Sequence, residues 1–274
     1  MTREPVTLTI DVETHGSSSD SFRFLTAMEP LLEVLAKLDI KATFFVVGEI
    51  SDQCNELLGN LHSFGHEIAL HGNTHTPLQQ FTQMEFRNDV KRGRDKLESI
   101  IQTSILGYRA PYFSLTKKTL WAPQILSEEN FVYSSSVLPA FNPQAGFPFA
   151  PRQPFLWPSG LIEFPVPTFG FGPIRVPLLG GAYLRISPLV LVKMARYLQR
   201  NSIGTWTYCH PYDFDEHEEF SIRDGEGWLF SRLLFSRRRL MLKRISSIVS
   251  PGSCSLIEMA SDEALCNRLP KWIP

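Results

Sequence analysis

Short apolar segments that alternate with longer amphipathic ones constrain the fold of this chain more than any other feature. VTLTIDV alternates like a strand, MEPLLEVLAKLDI repeats its leucines at helical spacing, and KATFFVVG is again a short apolar strand. The order continues with a second helix, a strand in HEIALHGNTH, and a third helix from about Thr82 to Ile101. It predicts an α/β fold whose parallel strands form a sheet or barrel with helices outside.

The length, charge and cysteine content of the chain indicate the number of domains, the class of partner and the location that we expect. A chain of 274 residues with 43% hydrophobic side chains suits one large α/β barrel domain over residues 1–274. With a formal net charge of −1, the chain lacks the excess of basic residues that is typical of nucleic-acid-binding proteins, so we expect no nucleic-acid partner. The first residues show no apolar leader and the four cysteines form no CxxC pair, so we expect a cytoplasmic location.

Two regions interrupt the alternation. Residues 139–182 are rich in proline and aromatic residues, which we interpret as a folded insertion of loops and short edge strands with mostly interior aromatic side chains. A rim that contacts sugar or lipid is the alternative. Residues 226–250 mix apolar positions with six Lys or Arg residues and predict an amphipathic basic helical segment. We favour a solvated helix face, with peripheral membrane or anionic-substrate contact as the alternative.

Polar side chains follow two of the first predicted strands, at the end where α/β barrels carry functional residues. Asp11 and Glu13 share one face of the first strand, because strand side chains alternate between faces. The segment LHGNTH places His71 and His75 four residues apart. Two histidines and one carboxylate are a standard catalytic zinc set, so the pattern predicts a divalent metal site. Zinc is favoured, although cobalt and manganese accept the same ligands.

Two further strands end in YRAPYF and YCHPYDFD. Arg109 in the first segment could hold a carboxylate ionised and oriented, although by itself it would be a structural ion-pair residue. His210 in the second follows an apolar strand and precedes a proline. Its ordinary pKa near 6.5 gives access to both protonation states, so His210 is the candidate general acid.

The segments TIDVE, HGNTH, RAPYF and YCHPYD, in this order over residues 9–213, resemble the successive motifs of the polysaccharide deacetylase, or NodB-homology, family. FPVPT, GGAYLRISP and HPYDFD also resemble a branch associated with bacterial surface-polysaccharide synthesis. The resemblance implies a distorted (β/α)7 barrel, a divalent metal that is usually zinc, and hydrolysis of an N-acetyl group on an amino sugar. The substrate would belong to an O-antigen or exopolysaccharide precursor and be nucleotide-linked, lipid-linked or an oligosaccharide.

The resemblance also implies roles for the residues of the first two motifs. His71 and His75 match the metal-binding histidines of the family. Family members carry adjacent aspartates in the first motif, the first a base and the second a ligand, whereas Val12 separates the two acids here. We assign Asp11 as the base and Glu13 as the third ligand, and leave open that the two are exchanged.

The later motifs imply three more roles, and one of these motifs differs from the family pattern in this chain. Arg109 corresponds to the residue that orients the base, Tyr112 to the one whose backbone N–H completes the oxyanion hole, and His210 to the general acid. A further family motif supplies an aspartate that tunes the histidine or pairs with the arginine. The nearest segment here is VYSSSV, which offers only Ser134, Ser135 and Ser136.

Three functions are compatible with this pattern. The first is a metal-dependent carbohydrate N-deacetylase. The second keeps the fold and changes the reaction, as a deformylase or a metal-independent cyclic amidase. The third is a non-catalytic sugar-binding protein that retains the barrel after losing the aspartate.

Overall fold

The computed structural model describes residues 6–14, 22–142, 145–172, 174–198, 205–222, 227–249 and 251–274. The strands of this part are β1 (Val6–Val12), β2 (Ala42–Val46), β3 (Glu67–Leu70), β4 (Gly107–Tyr108), β5 (Tyr133–Ser134), β6 (Phe155–Leu156), β7 (Ile162–Glu163), β8 (Phe169–Phe171), β9 (Ile174–Val176) and β10 (Thr205–Cys209). The helices are α1 (Arg23–Leu38), α2 (Asn55–Ser63), α3 (Gln83–Ile101), α4 (Ala122–Glu128), α5 (Gly181–Ile186), α6 (Leu189–Leu198), α7 (Trp228–Phe235), α8 (Met241–Ile248), α9 (Leu256–Ala260) and α10 (Glu263–Cys266).

Eight strands form one curled sheet in the order β10-β1-β2-β3-β4-β5-β7-β6. The first seven strands in this order run parallel, and β6 joins the edge by antiparallel pairing with β7. The remaining strands, β8 and β9, form a separate antiparallel hairpin. The predicted α/β architecture with seven parallel barrel strands is therefore confirmed.

Strand β1 occupies an inner position of the sheet, between β10 and β2. Leu8, Ile10 and Val12 join the main hydrophobic core, which also contains apolar residues of α1. The alternate side chains Thr9 and Asp11 contact Arg109 instead. The alternation of the sequence therefore directs the acids toward the inside of the curled sheet.

Helix α3 confirms the predicted helix from Thr82 to Ile101. Thr82 caps its first turn, since the threonine hydroxyl accepts the Glu85 N–H while the Glu85 carboxylate accepts the Thr82 N–H. A Cβ at Gly93 would lie 2.6 Å from Leu70 Cδ1 and 3.3 Å from Asn73 Cα. Helix α3 thus packs closely on the end of β3 and on the loop that follows it.

Residues 139–182 supply the short edge strand β6, as expected, and also β7, the seventh parallel strand of the main sheet, which we did not predict. The expectation of interior aromatic side chains holds for Phe155 and Trp157, which are buried. Phe149 and Phe171 are exceptions to this majority, since they are 73% and 91% exposed. The short, proline-interrupted strands hide the sheet pairing from a reading of local periodicity.

The basic segment 226–250 is two helices and not one. Arg237 has a φ of 55° and separates α7 from α8. Arg238 and Arg244 are buried, which contradicts the expected solvated face at these positions. Arg238 Nη1 lies 2.6 Å from Glu218 Oε2, and Arg244 Nη1 donates to two backbone carbonyls at the end of α5. Among the described helices, none has the length and hydropathy to cross a bilayer.

Candidate active site

Three side chains converge where β1 and β3 end. Glu13 directly follows β1, His71 directly follows β3, and His75 lies in the next loop. One ligand atom of each side chain lies within 4.8 Å of the other two. The structure therefore brings together the three residues that the sequence predicts as metal ligands.

The imidazole of His71 is held in the state that binds metals. Its Nδ1 lies 3.0 Å from the backbone oxygen of Arg109, and a carbonyl oxygen only accepts, so Nδ1 carries the proton. Burial lowers the pKa of His71 to about 4, so the ring is neutral at neutral pH. The lone pair of Nε2 is then available to a cation, and the two-nitrogen, one-oxygen donor set fits a zinc-type ion.

Glu13 and His75 form an ion pair in the protein without metal. Glu13 Oε2 lies 2.6 Å from His75 Nε2. Burial alone would lower the pKa of His75, but the charge and hydrogen bond of Glu13 raise it. Burial alone would raise the pKa of Glu13, but the histidines lower it to about 2. A bound cation would replace the proton that the two side chains share.

Asp89 of α3 fixes the loop between the two histidines, a function that our sequence analysis missed. Its Oδ2 accepts the Asn73 N–H at 2.8 Å, and its Oδ1 accepts the Thr74 N–H and hydroxyl at 3.2 and 2.9 Å. The signal in the sequence is an acid on the buried face of α3, three residues after Phe86. A buried carboxylate on such a face requires partners, and here they are backbone groups of the histidine loop.

Arg109 binds and orients one oxygen of the Asp11 carboxylate. The guanidinium is wholly buried, and its Nη1 lies 2.5 Å from Asp11 Oδ1 and 2.8 Å from Thr9 Oγ1. Its Nη2 donates to Ser135 Oγ at 3.1 Å, and the ring of Phe45 lies 3.9 Å from Cζ. These contacts fix the orientation of the arginine, which in turn fixes the carboxylate.

The second oxygen of Asp11 faces the site. Asp11 Oδ2 lies 4.0 Å from His71 Nε2 and 3.9 Å from His210 Nε2. Asp11 therefore stands between the candidate metal ligands and the candidate general acid. The set whose ligand atoms converge contains Glu13 and not Asp11, which favours the assignment of Glu13 as the ligand.

His210 is supported by a carboxylate three residues further along the chain. Asp213 Oδ2 lies 3.1 Å from His210 Nδ1 and accepts the His210 backbone N–H at 2.8 Å. Burial alone would lower the pKa of His210, but Asp213, Glu13 and Asp11 raise it to about 9. Asp213 Oδ1 lies 2.9 Å from Arg185 Nη2, and both side chains are wholly buried. Burial would raise the pKa of Asp213, but Arg185 and His210 lower it.

Asp213 therefore corrects the inference drawn from VYSSSV. Ser135 stands beside Arg109, where a carboxylate was expected, and the carboxylate next to the histidine comes from a different segment. The signal lies in HPYD, since a 3-10 turn over Pro211–Asp213 returns the aspartate to the histidine. Arg185 belongs to the quoted segment GGAYLRISP but received no role in our sequence analysis.

Tyr112 lies at the entrance of the site. It is 58% exposed, and its ring centroid is 5.0 Å from that of His75. Tyr112 and Phe113 adopt left-handed φ angles of 58° and 52° in the turn that begins at Pro111. This turn sets the direction of the backbone amides beside the histidines, and the role of the Tyr112 N–H as an oxyanion donor stays a prediction.

Comparison with known proteins relates part of this chain to a protein family. Residues 1–126 match the family model described as "Polysaccharide deacetylase". This match covers a little less than half of the 274 residues. Residues 135–253 match a second model, described as "Domain of unknown function (DUF3473)". The polysaccharide deacetylase match includes Asp11, the three candidate ligands, Arg109 and Tyr112, whereas His210, Asp213 and Arg185 lie in the second matched segment.

Two curated relatives are similar to part of this chain. The chain is 34% identical over 106 residues to YheN of Bacillus subtilis, a candidate polysaccharide deacetylase, covering 38% of this chain and 37% of that protein. It is 27% identical over 103 residues to a peptidoglycan-N-acetylglucosamine deacetylase of Bacillus cereus, covering 37% and 36%. The matches thus span little more than a third of each relative's length.

A solved structure extends the likeness to the whole fold. A candidate polysaccharide deacetylase from Mycobacterium smegmatis superposes with a TM-score of 0.64, covering 99% of this chain and 95% of that chain. Sequence identity is 18%, so this comparison establishes the fold alone.

Proposed function

We propose that this protein is a metal-dependent hydrolase that removes an N-acetyl group from an amino sugar in a surface-glycan precursor. The observation that carries the proposal is the convergence of Glu13, His71 and His75, with Asp11 and His210 facing the same space. The polysaccharide deacetylase match supports the reaction class. The segment VYSSSV has serines where the family motif has an aspartate. This difference argues less strongly against catalysis, because Asp213 supplies a carboxylate to His210.

Glu13, His71 and His75 would hold the ion, with zinc as the favoured metal. When bound there, such an ion lowers the pKa of a water molecule and polarises an amide carbonyl. The neutral His71 ring and the ionised Glu13 are already in the protonation states that ligands require. Glu13 raises the pKa of His75, so a metal ion competes with a proton at this ring up to a higher pH than at a free imidazole.

Two side chains would move the protons of the reaction. Asp11 would take a proton from the attacking water at Oδ2, because its Oδ1 is held by Arg109. The water oxygen adds to the acetamide carbonyl carbon, and the C–N bond then breaks. His210 would give a proton to the leaving nitrogen, since an amide anion leaves too poorly without one. The products are acetate and a free amino sugar.

The substrate assignment rests on two supports. The Bacillus cereus relative is named for deacetylation of N-acetylglucosamine in peptidoglycan, which supports an acetylated amino sugar. The resemblance of FPVPT and GGAYLRISP to surface-polysaccharide proteins supports a biosynthetic precursor. We propose that the protein acts on such a precursor in the cytoplasm, carried by a nucleotide, a lipid or an oligosaccharide.

The test is the metal content of protein purified without chelator or immobilised metal, followed by acetate release from acetylated amino sugars. We expect about one ion per chain in the wild type, and loss of both metal and acetate release in His71→Ala and His75→Ala. His217→Ala is the matched control, because the His217 side chain is 88% exposed and lies outside the site. Metal-free protein that also fails to bind added zinc, cobalt or manganese would contradict the proposal.

A further inference from the structure

One long segment of the chain contains basic residues but no acidic ones. The whole protein has 28 acidic and 27 basic residues, yet residues 164–212 contain five Lys or Arg residues and no Asp or Glu. This segment includes the β8–β9 hairpin and helices α5 and α6. Within the described part of this segment, Arg185 is buried and contacts Asp213, whereas Lys193 of α6 is exposed, so the surface of α6 bears positive charge.

Helix α6 has an apolar face directed at solvent. Val192 and Ala195 are buried against the protein. The residues Val190, Met194 and Tyr197 recur at helical spacing on another side, and they are 70%, 40% and 60% exposed. The exposed Lys193 lies beside them. We call these four residues the α6 outer face.

An outer face of this composition fits a lipid surface. The exposed side of a helix on a water-soluble domain is ordinarily polar. A helix that lies in a membrane interface instead presents apolar side chains together with Lys or Arg, which attract anionic headgroups. Two copies of this chain meeting face to face would bring Lys193 close to its own counterpart without an acid on either outer face, which disfavours self-association.

We propose that the α6 outer face docks the protein on an anionic phospholipid bilayer. The docking helix lies close to the active site, because Arg185 contacts Asp213 and Leu189 follows Arg185 by four residues, a span of at most ~14 Å. A docked protein would therefore act at the bilayer surface. If it carries the proposed function, the acetylated sugar is presented on a lipid carrier; docking itself does not depend on that function.

The test is co-sedimentation of the full chain with vesicles. One set contains equal parts of phosphatidylcholine and phosphatidylglycerol, and the other contains phosphatidylcholine alone. We expect sedimentation with the anionic vesicles, weakened by added salt. The double variant Val190→Ser, Met194→Ser should lower the partition coefficient by about tenfold or more, and Lys193→Glu should remove the preference for anionic vesicles. Phe64→Ser is the matched control, because Phe64 is 68% exposed and lies outside the segment.

Three results would overturn the docking proposal. Wild-type protein that stays in solution with both vesicle sets, or surface variants that sediment like the wild type, would overturn docking. A concentration-dependent dimer that the double variant abolishes would also overturn it and assign the face to a second copy. Unchanged thermal unfolding of the variants shows that they fold. Unchanged metal content and acetate release from soluble sugars separate a failure of docking from a failure of the proposed function.

Discussion

At the residue scale, the candidate general acid His210 depends on a carboxylate that lies three residues after it. Asp213 contacts both the backbone and the ring of His210, and Arg185 holds the other side of Asp213. A histidine in a largely buried position would otherwise favour the neutral form, which cannot donate to a leaving amine. Asp213 is thus a positioning residue that keeps His210 charged.

Replacement of Asp213 by Asn should shift the pH dependence of catalysis. In the wild type the pKa of His210 is raised to about 9, so the imidazolium is present below that pH and is lost above it. Without the Asp213 charge, burial dominates and the pKa falls, so kcat should decline with rising pH from a lower pH than in the wild type. A pH–rate profile measures this shift. Asp213→Glu, which keeps the charge, should move the profile less, and coincident profiles for wild type and Asp213→Asn would refute the positioning role.

Replacement of His210 by Ala should separate catalysis from metal binding. His210 lies across Asp11 from the candidate ligands and does not belong to the converging set. We expect a loss of 10²-fold or more in kcat, about the contribution of general acid catalysis, with metal content unchanged. Acetate release and elemental analysis on one preparation check both. A variant that retains its rate would remove the general-acid assignment.

At the scale of elements, helix α3 supports the site through its close contact with the histidine loop. Asp89 binds the backbone of Asn73 and Thr74, and Gly93 lets the helix approach β3. The sequence predicts this helix because a capping box marks its start and the apolar period continues to its end. It does not predict the break between α7 and α8, since the apolar and basic pattern continues across Arg237 while the backbone there turns left-handed.

Two glycine substitutions on neighbouring helices should have opposite effects. Gly93→Ala places a Cβ 2.6 Å from Leu70 Cδ1, so we expect a loss of about 1–3 kcal/mol in the free energy of unfolding and weaker metal binding. Gly59→Ala in α2 meets nothing within 4 Å and should stabilise the protein by about 0.5–1 kcal/mol through helix propensity. Urea unfolding and metal titration of both variants give the comparison. Equal stability of the two variants would show that the α3 contact is not tight.

At the scale of the whole molecule, the sequence predicts the order of strands better than their extent. Long buried strands such as β1 and β10 are evident, because every residue of both strands is buried and the side chains are almost wholly apolar or Thr. Strand β7 has two residues and is defined by its pairing with β5, a long-range contact that local periodicity does not contain. Asp213 was missed for the same kind of reason, since its function depends on a turn.

Removal of metal should destabilise the whole fold in a pH-dependent manner. The candidate ligands come from separate elements, so an ion bound to them favours the folded state, by about 2.7 kcal/mol when it exceeds its dissociation constant about 100-fold. The raised pKa of His75 keeps that ring protonated to a higher pH than usual, so metal affinity should fall as pH falls through this pKa. Thermal unfolding with zinc and with chelator, at several pH values, measures the difference. His75→Ala should abolish it, and His217→Ala should not.

The inner position of β1 has a consequence for the order in which the protein matures on the ribosome. One neighbour, β2, follows shortly after β1, but the other, β10, begins only at Thr205. All three candidate metal ligands are translated by His75, whereas His210 emerges directly after β10. The nascent chain therefore carries β1 with one open hydrogen-bonding edge until β10 has been translated. Strand β10 both covers that edge and positions His210, so the same strand completes the pairing of β1 and the candidate active site.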